Sequence, residues 1–107
     1  QQAGVEEVAR RTLECLINNV PADLPGVTFL SGGQSDVLAT AHLDAMNRIG
    51  GFPWKLSFSY GRALQASALV AWGGKPENVA TAQKAFTHRA KMNKLAAVAA
   101  WTEALEA

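Results

Sequence analysis

Charge of either sign is scarce in this sequence, and the two signs nearly cancel. Ten Lys and Arg stand against nine Asp and Glu, a formal net charge of +1. A nucleic-acid surface needs a basic face to neutralise phosphates, and nothing here argues for one. Arg10 and Arg11 are a pair rather than a patch. The basic residues from Lys84 to Lys94 are interleaved with alanine and read as a solvated helix face. There is one cysteine, Cys15. It excludes an intrachain disulfide, no Cys/His spacing suits zinc, and its place in an amphipathic stretch predicts a buried thiol in a reducing compartment. No apolar run approaches the ~20 residues of a membrane span. The start, Gln1 to Gly4, has neither the basic region nor the apolar core of a signal peptide. It also lacks an initiator Met, which suggests a chain that begins partway through something larger.

What is present is a composition that can build a core. The chain has 107 residues, 49% of them hydrophobic, which suits one domain and not two. Val5, Val8, Ala9, Leu13, Leu16 and Ile17 recur at three and four spacings, one face of a helix that Asn18, Asn19, Pro21 and Pro25 stop. Val27-Thr28-Phe29-Leu30 is too short for a helix and reads as a buried strand ended by Ser31-Gly32-Gly33. Ser35 then caps a second helix with Leu38, Ala41, Ala45, Met46 and Ile49 on its apolar face, closed by Gly50 and Gly51. From Lys55 to Tyr60 the residues alternate, with Leu56, Phe58 and Tyr60 facing one way and Ser57 and Ser59 the other. Gly61 breaks this strand, and Arg62 opens a third helix through Trp72, closed by Gly73 and Gly74. Pro76 begins a last helix expected to run past Leu95. The Ala-rich end, 96–107, is helical in propensity.

The predicted order is α-β-α-β-α-α, with roughly thirty residues between equivalent points of the two strands, the size of a βα unit. Strand–glycine–helix alternation implies a parallel sheet. Two parallel strands alone leave both outer edges unpaired, and a βα barrel needs eight strands over ~250 residues. The chain is therefore expected to be a slice of a larger α/β protein, or to complete its sheet with another chain.

Both strands end in the same chemistry. Leu30-Ser31-Gly32-Gly33-Gln34-Ser35 follows the first and Ser59-Tyr60-Gly61-Arg62 the second. Glycines after a parallel strand let the backbone turn tightly and present N–H groups, and the next helix adds a positive dipole end. That combination binds anions, phosphate above all. Arg62 can add a bidentate fork. An arginine at a helix N-terminus opposes the dipole, so an anionic ligand explains it better than a surface carboxylate does. For Ser59 two readings stand, a phosphate ligand and a small residue that merely fits a barrel interior. His42 and His88 lie mid-helix without a paired carboxylate and read as surface or packing residues. Trp54, Trp72 and Trp101 read as core or helix-packing residues. Lys55 starts its strand, at the far end from Ser59 and Arg62, and Lys75, Lys84, Lys91 and Lys94 belong to the terminal helices. None is placed as a desolvated Schiff-base nucleophile, and no catalytic residue is expected within the chain.

The two segments 25–35 and 58–68, with Ala71-Trp72-Gly73-Gly74, closely resemble class I fructose-bisphosphate aldolase, and the resemblance covers nearly the whole chain. It implies a (β/α)8 TIM barrel, with residues 1–107 as the C-terminal segment of a single domain that carries its last two strands and their flanking helices. It implies Schiff-base cleavage of fructose 1,6-bisphosphate to dihydroxyacetone phosphate and glyceraldehyde 3-phosphate, with no metal or other cofactor. In the family the two turns hold the C1 phosphate, which assigns Ser31, Gly32, Ser59, Gly61 and Arg62 to phosphate binding with Leu30 and Gly33 near by. The family's Schiff-base lysine lies in a Leu-Leu-Lys-Pro-Asn segment with no counterpart here, so the chain by itself is expected to be inactive. The end, Glu106-Ala107, lacks the terminal tyrosine of the animal enzymes and suggests a bacterial-type member. The implied partners are the bisphosphate and triose phosphates, the N-terminal remainder of the barrel, and sister subunits of a cytoplasmic homotetramer; no nucleic acid and no membrane are expected. A different reading is a non-catalytic phosphate-binding or assembly module that completes a barrel with a partner chain. A purely structural helical protein leaves both glycine turns without a reason.

Overall fold

The computed structural model describes residues 3–106. The expectations drawn from Gln1 and Ala107 concern residues outside the described ones. Six regular elements follow the predicted order: α1 (Val5–Asn19), β1 (Gly26–Phe29), α2 (Asp36–Ile49), β2 (Lys55–Phe58), α3 (Arg62–Trp72) and α4 (Val79–Ala97). The strands form a two-stranded parallel ladder in the register Gly26↔Lys55 to Phe29↔Phe58. Helix α2 is the crossover between them. It lies at the centre of the packing, touching α1, α3, α4 and β2.

The local signals act as their chemistry dictates. Ser35 accepts the Leu38 N–H at 3.2 Å and starts α2, which satisfies one of the helix's four orphan donors. Trp54 donates its indole N–H to Pro21 C=O at 2.7 Å, pinning the loop after α1 beneath β2. The main core joins Ala9 and Leu13 of α1, Leu43, Ala45 and Met46 of α2, Leu56 of β2, and Met92 and Ala96 of α4, with Trp54 and Trp101 at its ends. A smaller cluster of Ala39, Tyr60 and Ala63 seals α2 against the start of α3.

Several expectations are corrected. Each strand is shorter or shifted: β1 runs Gly26–Phe29 rather than to Leu30, and β2 stops at Phe58 rather than Tyr60. Cys15 is exposed, not buried, because α1 turns Ala9 and Leu13 to the core and leaves Cys15 on the opposite side. Trp72, the last residue of α3, is exposed, unlike Trp54 and Trp101. It lines a shallow apolar groove with Leu69 of α3 and Val79 and Phe86 of α4, so of the two expected places, core and helix packing, it takes the second. Pro76 opens a 3-10 turn, Pro76–Asn78, and α4 starts at Val79. The Ala-rich end does not continue as a helix. Ala100 N–H donates to Leu95 C=O at 2.8 Å and Ala99 N–H to Ala96 C=O at 3.2 Å, the paired bonds of a Schellman stop. That stop puts Ala99 at φ +59°, after which the chain folds back into a 3-10 turn, Glu103–Glu106.

Candidate functional site: two glycine turns at one end of a parallel ladder

Because the strands are parallel and in register, the residues that follow each one emerge at the same end. Ser59 N–H donates to Phe29 C=O at 2.8 Å, carrying the ladder one residue past β2. In the first turn Gln34 N–H closes onto Ser31 C=O at 3.1 Å. Gly32 and Gly33 between them take φ values of +60° and +87°. Two successive left-handed residues would cost a side-chain-bearing pair about 1–2 kcal/mol each. A Cβ at either position meets nothing within 4 Å, so backbone conformation rather than crowding calls for glycine. Ser31 is buried and Leu30 is 78% exposed.

In the second turn Ser59, Gly61 and Arg62 are exposed, while Tyr60 points inward. Its hydroxyl donates to Ala39 C=O of α2 at 2.9 Å, and burial pushes the phenol up to about 12. Gly61 precedes α3 at φ −87°, a value open to other residues, so its conformation alone does not require glycine. Arg62 is the first residue of α3. Thus Ser31, Gly32 and Gly33 gather before the N-terminus of α2, and Ser59, Gly61 and Arg62 at that of α3. The start of α3 has no side-chain cap and presents unpaired N–H groups to an anion, whereas at α2 the Leu38 and Val37 N–H groups are already taken by Ser35 Oγ and Asp36 Oδ1.

A cavity of about 540 Å³ opens beside the first turn, lined by Gly32, Gly33, Gln34, Ser35, Leu38 and His42 among others. The His42 imidazole is buried, and burial holds its pKa below the ordinary value. Neither ring nitrogen has a hydrogen-bond partner among the described residues. The five lysines named from the sequence, Lys55, Lys75, Lys84, Lys91 and Lys94, are all exposed.

The sequence reading missed a polar cluster behind the two turns. Arg89, in the run expected to be solvated, is only 4% exposed. Its terminal nitrogens donate to both oxygens of Glu106 at 2.8 and 2.6 Å, and one also donates to Thr40 Oγ1 at 3.1 Å. Its Nε lies 3.5 Å from Asp36 Oδ2. Trp101 Nε1 donates to Glu106 at 2.8 Å. His88, expected to lack a carboxylate partner, has Nε2 3.4 Å from Glu106 Oε1. Burial alone would raise the Glu106 carboxyl, but the bonds from Arg89 and Trp101 outweigh it and hold the pKa below the usual range. Asp36 itself is capped by Val37 N–H at 2.8 Å and by the Ser67 hydroxyl of α3.

Residues 1–107 match the family described as fructose-bisphosphate aldolase class-I. The chain is 58% identical over 93 residues to fructose-bisphosphate aldolase 2 of Caenorhabditis elegans, covering 86% of this chain and 25% of that protein. It is 54% identical over 102 residues to a probable fructose-bisphosphate aldolase class 1 of Xanthomonas campestris, covering 94% and 30%. Among solved structures, the Plasmodium falciparum fructose-bisphosphate aldolase, crystallised with TRAP and a small-molecule inhibitor, superimposes with a TM-score of 0.90 at 46% identity. That match covers 95% of this chain and 29% of the other. The chain thus spans between a quarter and a third of the length of these relatives.

Proposed function

Since the chain belongs to the class-I fructose-bisphosphate aldolase family, we propose that its two glycine turns hold the C1 phosphate of fructose 1,6-bisphosphate in an enzyme that cleaves this sugar to dihydroxyacetone phosphate and glyceraldehyde 3-phosphate. The observation that carries the reading is the parallel pairing of Phe29 with Phe58. It brings two helix N-termini to one end of the ladder, with two left-handed glycines on one turn and an exposed arginine on the other. In this reading Ser31, Gly32, Ser59 and Gly61 donate hydrogen bonds, Arg62 supplies a charged fork, and Leu30 and Gly33 shape the rim. The Schiff base forms on a lysine outside these 107 residues, so the chain's own share is binding and orientation, with no cofactor assigned to it.

The same reading makes the ladder the last two strands of a (β/α)8 barrel. Three features support it: Leu30 and Val70 are 78% and 84% exposed, each strand has one unpaired edge among the described residues, and α3 and α4 share an open apolar groove. Surfaces of this kind are normally covered in parallel α/β folds. The assignment to a cytoplasmic homotetramer rests on the resemblance alone; among the described residues no helix is long and apolar enough to cross a membrane.

The test is Arg62→Ala in the full-length enzyme. It is expected to raise KM for the bisphosphate, with a loss of about 2–4 kcal/mol in kcat/KM, the scale of a truncated desolvated charge pair. Unchanged kcat and KM would refute the phosphate role.

A further inference from the structure

Asp36 poses an electrostatic problem for any anion bound at the first turn. It is the first residue of α2, directly after the Ser35 cap. A carboxylate there stabilises the helix but cancels the partial positive charge that would attract a phosphate. The structure answers this with contacts from two other helices. Ser67 of α3 donates its hydroxyl to Asp36 Oδ2, and the Arg89 guanidinium of α4 approaches the same oxygen at 3.5 Å. Val37 N–H takes Oδ1 at 2.8 Å. Arg89 also donates to Thr40 Oγ1, one turn further along α2, and is itself locked by the bidentate pair with Glu106.

We infer that Arg89 is a positioning residue for the phosphate site: through Asp36 it offsets the carboxylate charge at the N-terminus of α2 and, with Ser67, fixes that terminus relative to the N-terminus of α3. Arg89 touches no substrate in this arrangement. Its side chain is almost fully enclosed, so its positive charge acts in a poorly screened setting. Three helices therefore converge on one carboxylate, and two of them, α2 and α3, each begin at one of the two turns. This role rests on the phosphate reading given above.

The experiment measures inhibition of fructose 1,6-bisphosphate cleavage by inorganic phosphate in the full-length enzyme. Arg89→Met is expected to raise the inhibition constant about fivefold to tenfold, because Asp36 and Glu106 both lose their cation and Asp36, at the N-terminus of α2, now opposes the anion uncompensated. Asp36→Asn alone is expected to leave it unchanged or lower it. The double variant Arg89→Met/Asp36→Asn still leaves Glu106 without its cation, yet it should recover most of the loss, to within about threefold of the parent enzyme, because the carboxylate nearest the turn is gone. No change in Arg89→Met, or no recovery in the double variant, would overturn the proposal. If Arg89→Met does not fold, Ser67→Ala on the exposed side of the same carboxylate takes its place. It is expected to raise the constant about twofold to threefold, with recovery on adding Asp36→Asn; an unchanged constant would overturn the proposal equally. Arg62→Ala separates the two layers. An unchanged constant there defeats the phosphate reading itself, whereas a raised constant there with none in Arg89→Met defeats the positioning role alone.

Discussion

Replacing Glu106 by glutamine puts the buried cluster to its most direct energetic test. Glu106 accepts two bonds from Arg89 and one from Trp101 Nε1. Glutamine keeps one oxygen but turns an NH2 group toward a guanidinium N–H, so at least one charge-assisted bond is lost, about 1.5–3 kcal/mol. Breaking a buried pair outright costs about 3–5 kcal/mol because one charge is left uncompensated. Here Asp36 remains 3.5 Å from Arg89 Nε, and the Glu106 side chain keeps 14% of its exposure. Both features pull the cost down, to about 2–3 kcal/mol. The change should appear as local opening of the segment from Trp101 to Glu106, read by amide hydrogen exchange in the full-length protein. Trp101 N–H is a good reporter, since it donates to Asp44 Oδ1 at 3.1 Å. Its exchange should accelerate by roughly 30- to 150-fold at pH 7, taking 1.4 kcal/mol per decade. The sign of the pH dependence follows from the depressed Glu106 pKa. The stabilisation is fully present above the unfolded carboxyl pKa near 4.5 and disappears as pH falls through the lower folded value. Parent and variant should therefore converge in acid. A ratio below about threefold at pH 7, or one that stays constant into acid, would refute the reasoning.

Two other outcomes follow from particular residues. Ala99 adopts φ +59° at the Schellman stop of α4, where glycine would relieve about 1–2 kcal/mol of left-handed strain against about 0.5–1 kcal/mol of added chain entropy. Ala99→Gly should thus raise thermal stability slightly, by about 0.5–1 kcal/mol, and a lower melting temperature would show that Ala99 carries no such strain. His42 is held neutral by burial, so the unfolded chain binds a proton that the folded one resists, and stability should fall as pH drops below the unfolded value of 6.5. Between pH 7.5 and 5.5 the loss from this group reaches at most about 1.4 kcal/mol. Urea titrations of His42→Asn should show a shallower pH slope, and an identical slope would show that His42 does not titrate in this way.

Much of this protein is decided within short stretches of sequence, and that part could be read directly. The 3.6-residue recurrence from Val5 to Ile17, the Ser35 cap and the stops at Gly50 and Gly73 each act within one or two helical turns, and the helices begin and end beside them. The Ser31–Gln34 turn is likewise set locally, because two adjacent residues must take positive φ. The two motif segments also carried the family, since they keep their order over nearly the whole chain. Residues whose fate depends on distant partners were not legible. Arg89 looks like one more cation on a basic helix until folding brings it to Glu106, 17 positions away, and to Thr40, 49 away. Cys15 and Trp72 sit on helices that the sequence located, yet which residues those helices bury was settled by their neighbours, α2 for the first and α4 for the second. The end of α4 fell to the same kind of control. Alanine propensity favours a continuing helix, but the bonds of Trp101 N–H to Asp44 and of Trp101 Nε1 to Glu106 hold the folded-back segment. Local sequence thus determined the elements, their order and the two turns. Only the tertiary structure decided which charges stand behind those turns, because their pairing depends on distances that the chain closes by folding.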